Sequence, residues 1–248
     1  MRQYNDLPYL ADGDEMHLFD LHTPDTDGFD TFIYFHGGGL EAGSRKWESG
    51  AKTLVRHGIA LASCEYRMYP TAHFPDFIED AAAAVAFIRE HIKEYGGNGR
   101  VFVGGSSAGG YLSMMLCFDA RYLAKYGVAP TDIAGFIHDA GQPTSHFNVL
   151  REKGLDTRRV IVDETAPLYF FGLAKELPPM LFIVSDHDME NRYEQTMLVM
   201  STLKHFRYDE SKIECRVMHG THCAYCGAKD EDGENVLGKI AAEYISKH

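Results

Sequence analysis

Gly104-Gly105-Ser106-Ser107-Ala108-Gly109-Gly110 lies between two apolar runs of different kinds. Before it, Arg100-Val101-Phe102-Val103 is short and β-branched, the composition of a buried strand. After it, Tyr111 to Phe118 reads as the first turns of a buried helix. Gly105-x-Ser107-x-Gly109 therefore falls where a strand turns sharply into a helix. A serine at such a corner takes up a strained backbone conformation that exposes its hydroxyl. Glycines two residues to either side let strand and helix approach closely enough. Gly/Ser-rich turns are common, so it is the flanking strand and helix that mark Ser107 as a candidate nucleophile.

The chain on both sides repeats the same alternation. Glu15 to Leu21 alternates like a strand with one wet face, and Thr31-Phe32-Ile33-Tyr34-Phe35 is a strongly apolar strand running into His36-Gly37-Gly38-Gly39. A helix over Trp47–His57 stops at Gly58, and Ile59 to Cys64 is the next buried strand. Pro75 opens the clearest helix, with Ile78, Ala81, Val85, Ile88 and Ile92 at three- and four-residue spacing and Gly96-Gly97 as its stop. Past the elbow come strands at Ile133–Ile137, Met180–Val184 and Ile213–Met218, with helices at about Arg192–Phe206 and Glu234–Ser246. This alternation predicts the α/β class: a mostly parallel sheet with helices on both faces. There is no repeat or linker, so residues 1–248 read as a single domain. Residues 142–178, polar and weakly periodic, read as a small insertion over the sheet's C-terminal edge.

Composition narrows the classes of function. A net charge of −12, with no Lys/Arg cluster, argues against nucleic acid and anionic membranes as partners. The start Met1-Arg2-Gln3-Tyr4-Asn5-Asp6 lacks the apolar run of a signal peptide, and Ala81–Ile88 is too short to span a bilayer. Five cysteines is an odd count; Cys64, Cys117 and Cys215 fall inside apolar patterns and read as reduced core residues, as expected of a cytoplasmic protein. A small-molecule ester is the expected partner, and a homo-oligomer is compatible with the sequence.

Three further loops leave the C-terminal ends of strands, where open α/β sheets place their ligands. The glycines after Phe35 can aim unobstructed N–H groups at an oxyanion, and Ala108 N–H adds another. Asp188 follows one strand and His222 the last. A serine hydroxyl needs a histidine to take its proton and a carboxylate to fix that histidine's tautomer. The chain order Ser107…Asp188…His222 is that of α/β hydrolases.

His36-Gly37-Gly38-Gly39 together with Gly105-Ser106-Ser107-Ala108-Gly109-Gly110 resembles the α/β-hydrolase esterases related to hormone-sensitive lipase, their acetyl-esterase branch in particular. Tyr66-Arg67-Met68-Tyr69-Pro70, Phe74-Pro75 and Asp80 resemble that family's segment between the two motifs, and Pro178 to Phe182 its entry to the acid strand. The resemblance runs from about Tyr9 to His222. It implies carboxylic-ester hydrolysis through an acyl-enzyme, without cofactor or metal, with Gly38, Gly39 and Ala108 as the oxyanion hole. Two departures stand out. Serine replaces the family's glycine in Ser185-Asp186-His187-Asp188, which leaves Asp186 as a competitor of Asp188. Only 35 residues precede His36, too few for the family's N-terminal cap, so any lid falls to residues 142–178.

Other assignments compete with these. His36 reads as a holder of the glycine loop rather than a base. His219, His222, Cys223 and Cys226 have metal-like spacing, yet His222 is explained as the base and no second Cys-x-x-Cys exists. In the insertion, His146, Phe147 and Tyr169 either line the substrate pocket or merely pack the segment down, as do Phe170 and Phe171. Its many polar groups suit a small acyl group and a polar, sugar-like alcohol. An amidase, arylformamidase or dipeptidyl-type peptidase would use the same three residues, although Leu40 replaces the tryptophan usual after a formamidase's glycines. An inactive binding protein on the same scaffold is the remaining alternative, and the intact trio speaks against it.

Overall fold

The computed structural model describes residues 1–248. Alternation within the apolar runs decides the layering. Ile33 and Phe35 join one core while Phe32 and Tyr34 join another, and Val101 and Val103 oppose Phe102 in the same way. Strands buried on both faces need helices above and below them.

The strands are β1 (Arg2–Pro8), β2 (Leu18–Thr23), β3 (Phe29–Phe35), β4 (Ala60–Cys64), β5 (Gly97–Ser106), β6 (Gly135–Asp139), β7 (Met180–His187) and β8 (Ile213–Thr221). They form one eight-stranded sheet in the order β1-β2-β4-β3-β5-β6-β7-β8. β1 and β2 pair antiparallel, as do β2 and β4, and the remaining pairs are parallel. The helices are α1 (Glu48–Arg56), α2 (Asp76–His91), α3 (Ala108–Phe118), α4 (Arg121–Ala124), α5 (Phe147–Glu152), α6 (Arg192–His205), α7 (Ala224–Gly227) and α8 (Val236–Lys247). α2, α3 and α6 cover the larger core through residues such as Val85, Leu112 and Leu203. α1 and α8 cover the other face through Leu54, Ile240 and Tyr244. No helix is long and apolar enough to cross a membrane.

The structure corrects several expectations. β1 has no apolar periodicity because it is an edge strand, largely open to solvent, with a register shift between Tyr4 and Leu7. Glu15–His17 is a 3₁₀ turn capped by the Asp14 carboxylate, and β2 begins after it. β6 starts at Gly135, two residues later than its apolar run, and ends on buried His138 and Asp139. Cys64 and Cys117 are buried free thiols, but Cys215 is exposed because β8 is the other edge of the sheet. The first polar residues of the 142–178 segment are not wet, although most of its charged residues are exposed. Thr144, Ser145, His146 and Asn148 are buried, and Ser145 and Thr165 bond to each other and to Asp163, knitting the segment to itself.

Candidate active site

β5 delivers Ser107 at φ +54°, ψ −110°, a region that L-residues avoid. Backbone crowding explains the glycines around it. A Cβ on Gly105 would stand 2.4 Å from the Phe35 carbonyl oxygen, and one on Gly109 only 1.9 Å from it. Neither position can carry a side chain unless strand and helix separate. Ser107 N–H donates to the Asp139 carbonyl at 2.8 Å, which ties the corner to the end of β6.

His222 follows β8, and its Nε2 lies 2.9 Å from Ser107 Oγ. Its Nδ1 lies 2.5 Å from Asp188 Oδ1, at the end of β7. With Nδ1–H donating to the carboxylate, Nε2 is left to accept from the serine hydroxyl. The Asp188 side chain is fully buried, and the N–H groups of Met189 and Ser185 donate to it at 2.7 and 3.2 Å. Burial works against its charge, but the His222 hydrogen bond and these N–H groups hold its carboxyl below the ordinary range. For His222, burial disfavours the imidazolium; the bonds to Asp188 and Cys223 outweigh it and lift the ring to about 9. Asp186 is turned outward, accepting from Gly220 N–H at 2.9 Å and meeting exposed His219 Nδ1 at 2.8 Å. The structure thus brings Ser107, Asp188 and His222 together and leaves Asp186 outside.

The glycine loop borders this group. Gly38 and Gly39 take φ of +115° and +68°, and a Cβ on Gly38 would lie 1.9 Å from the Ala42 carbonyl oxygen. The N–H groups of Gly38 and Gly39 have no acceptor within the protein. Ala108 is the first residue of α3, so its N–H has no intrahelical acceptor either. His36 holds the loop from below: Nδ1 lies 2.7 Å from the Gly37 carbonyl, Nε2 lies 2.9 Å from Glu65, and the ring stacks on Tyr66 at 4.5 Å. From above, Asn148 Nδ2 donates to the Gly39 carbonyl. Sequence reasoning gave Asn148 no such role. The contact joins residues 109 apart, and no local pattern signals it.

Tyr34, Gly37–Gly39, Ser107, Phe147, Met189 and His222 line a cavity of about 470 Å³, together with Cys223 and Cys226. Of the three insertion residues expected to line it, only Phe147 does so. His146 is buried behind Phe147, with ring centroids 4.3 Å apart. Tyr169 is 52% exposed and away from the cavity, because the 3₁₀ turn Pro167–Phe170 faces Phe170 inward instead.

Beneath the serine lies a buried polar network. Ser106 Oγ donates to Asp139 Oδ2 at 2.5 Å and accepts from Tyr34 OH at 3.0 Å, and Tyr225 OH donates to the other Asp139 oxygen. Burial pushes the Asp139 carboxyl up, against these bonds. Cys226 Sγ also reaches Asp139, at 3.3 Å. Asp139, Cys223 and Cys226 bring a carboxylate oxygen and two sulfurs within 4.8 Å of one another, a set able to hold a soft cation, although other donors already engage the carboxylate. His219 lies outside this set, so the four residues with metal-like spacing do not converge.

A family model described as BD-FAE matches residues 19–125. Carboxylic ester hydrolase LipN of Mycobacterium tuberculosis is 37% identical over 105 residues, covering 41% of this chain and 28% of LipN. Esterase LipI of the same organism is 35% identical over 103 residues, covering 40% and 32%. A truncated carbohydrate esterase from gut microbiota superposes with a TM-score of 0.79 at 18% identity, over 100% of this chain and 96% of that one. The chain has the α/β-hydrolase fold, and over about two fifths of its length its sequence is similar to carboxylic ester hydrolases. Esterase B from Lactobacillus rhamnosis shares this α/β-hydrolase fold, with a TM-score of 0.79 at 16% identity, over 99% of this chain and 85% of the other. This α/β hydrolase covers less than a third of the length of each of the two mycobacterial relatives.

Proposed function

We propose that this α/β hydrolase is a serine carboxylesterase for short-chain acyl esters. One observation carries the reading: the hydrogen-bonded series Ser107–His222–Asp188 opens into a cavity edged by the unpaired N–H groups of Gly38 and Gly39. Ser107 Oγ attacks the ester carbonyl while His222 Nε2 takes its proton. The developing oxyanion is received by the N–H groups of Gly38, Gly39 and Ala108. His222 returns the proton to the departing alcohol, and water activated by the same imidazole releases the acid from Ser107. Asp188 holds the tautomer and offsets the imidazolium charge. The alcohols favoured by this reading are small and polar, acetylated carbohydrates first among them. Support for that choice comes from the acetyl-esterase resemblance.

The test is active-site labelling with a fluorophosphonate alongside turnover of p-nitrophenyl acetate. Wild-type protein should label and turn over, and Ser107→Ala should do neither. Equal labelling of the variant, or an inert wild type, would remove the esterase reading.

A further inference from the structure

A second cavity, which the reaction above does not use, lies beside the first. It has a volume of about 300 Å³ and shares Phe147 and Met189 with the catalytic cavity. Its lining is cationic: Arg158, Arg159 and Arg192 stand against one carboxylate, Glu190. Arg158 is already paired with Asp156 at 2.6 Å, so Arg159 and Arg192 supply the surplus charge.

Arg192 is the unusual member. It opens α6 and is 5% exposed. Its guanidinium bonds the Ala140 carbonyl and, at 3.4 Å, the Gln142 side-chain oxygen, and neither is a charge. Asp188, whose field reaches it, is engaged by His222. A guanidinium carries five donors in a planar fork. Burying one without a carboxylate or phosphate is costly unless something charged completes it.

We propose that this cavity is a carboxylate subsite, so that the preferred ester carries an acidic group reaching past Phe147 and Met189 to Arg192 and Arg159. The inference rests on the esterase reading and deepens it by naming the substrate class. Charge-assisted, fork-shaped hydrogen bonding is the chemistry that matches a guanidinium to a carboxylate. Thr157 and Asn191 border the same space and add neutral donors. The acidic group has two chemical sources. It belongs either to the acyl part, as in a hemiester of a dicarboxylic acid, or to the alcohol part.

Matched pairs distinguish the sources. Mono-p-nitrophenyl succinate against p-nitrophenyl butyrate tests the acyl side, and 3-carboxyphenyl acetate against phenyl acetate tests the alcohol side. In one pair the acidic member should have a kcat/KM about tenfold higher or more, an advantage that shrinks as salt is added. Arg192→Gln should cut that acidic-to-neutral ratio by about tenfold. Arg159→Glu, on the surface, should also lower it and decides the matter if Arg192→Gln fails to fold. No preference in either pair overturns the subsite. So does an equal loss on both members of a pair in Arg192→Gln, which would make the arginine only a strut for Ala140, or an unchanged ratio in Arg159→Glu when Arg192→Gln does not fold. No turnover of any of the four esters by the wild type would instead defeat the esterase reading. The subsite is then read by calorimetry with succinamate, whose binding should weaken in Arg159→Glu and whose failure to bind would overturn it.

Discussion

Ser107, held at φ +54°, gains nothing for the fold from its hydroxyl beyond one bond to His222. Ser107→Ala should therefore fold normally and lose about 10⁴-fold or more in kcat. A Ser107→Ala, His222→Ala double variant should be no slower than either single one, since the residues act as a unit. Single-turnover rates check this, and a much slower double variant would contradict it. Asp188→Asn should cost about 10³-fold or more and Asp186→Asn little, because only Asp188 touches the imidazole. The pH profile follows from the same pair. Only neutral His222 accepts the serine proton, so kcat/KM should rise with pH, with a midpoint above the ordinary ~6.5 and toward about 9. The sign for stability is opposite: the raised ring stabilises the fold fully below ~6.5, and the contribution is lost as pH rises through about 9. Activity and melting curves recorded over the same buffers should diverge, and an activity midpoint at or below 6 would refute this account.

At the scale of elements, apolar runs that bury both faces of a strand were legible. Thr31–Phe35, Ile59–Cys64 and Met180–Val184 all fall within or against observed strands. Elements with polar or half-wet patterns were not. β1 pairs through its backbone at a solvent-exposed edge, and the last residues of β6 are His138 and Asp139, which no hydrophobic pattern extends to. The loops carrying the candidate trio were readable because their chemistry sits next to strong strands. The supports were not: Asn148 reaches the Gly39 carbonyl from α5, and Tyr225 reaches Asp139 from α7, through contacts 109 and 86 residues apart. Asn148→Ala should loosen the glycine loop and lower kcat by about tenfold while fluorophosphonate labelling persists. Unaltered kcat would show that the loop is held without it.

For the molecule as a whole, the cover over Ser107 is slight: one face of α5, with Phe147, and the loop bearing Met189. On the short-acyl reading proposed above, this cover does not enclose a fatty chain. Each methylene a closed apolar channel buried would add about 0.8 kcal/mol to transition-state binding. On p-nitrophenyl esters, kcat/KM should peak between acetate and butyrate and fall sharply by octanoate. A steady rise to decanoate would mean that an apolar channel exists beyond Phe147. The polar composition of residues 142–178 suggested a polar wall, and the structure turns Gln142, Thr144, Ser145, His146 and Asn148 inward while most of the charged residues stay exposed. A sequence shows that a segment is polar but not which way its side chains face, and the second cavity became visible only once Arg192 was placed.

Trp47 is the chain's single tryptophan. Its ring lies 4.3 Å from that of Tyr34, whose hydroxyl bonds Ser106, the neighbour of the nucleophile. The protein thus carries its own optical probe directly behind the cavity wall, packed on Tyr34, with no competing indole elsewhere. Emission should shift when the cavity fills or when Ser107 is acylated, so stopped-flow fluorescence could time acylation on natural esters that release no chromophore.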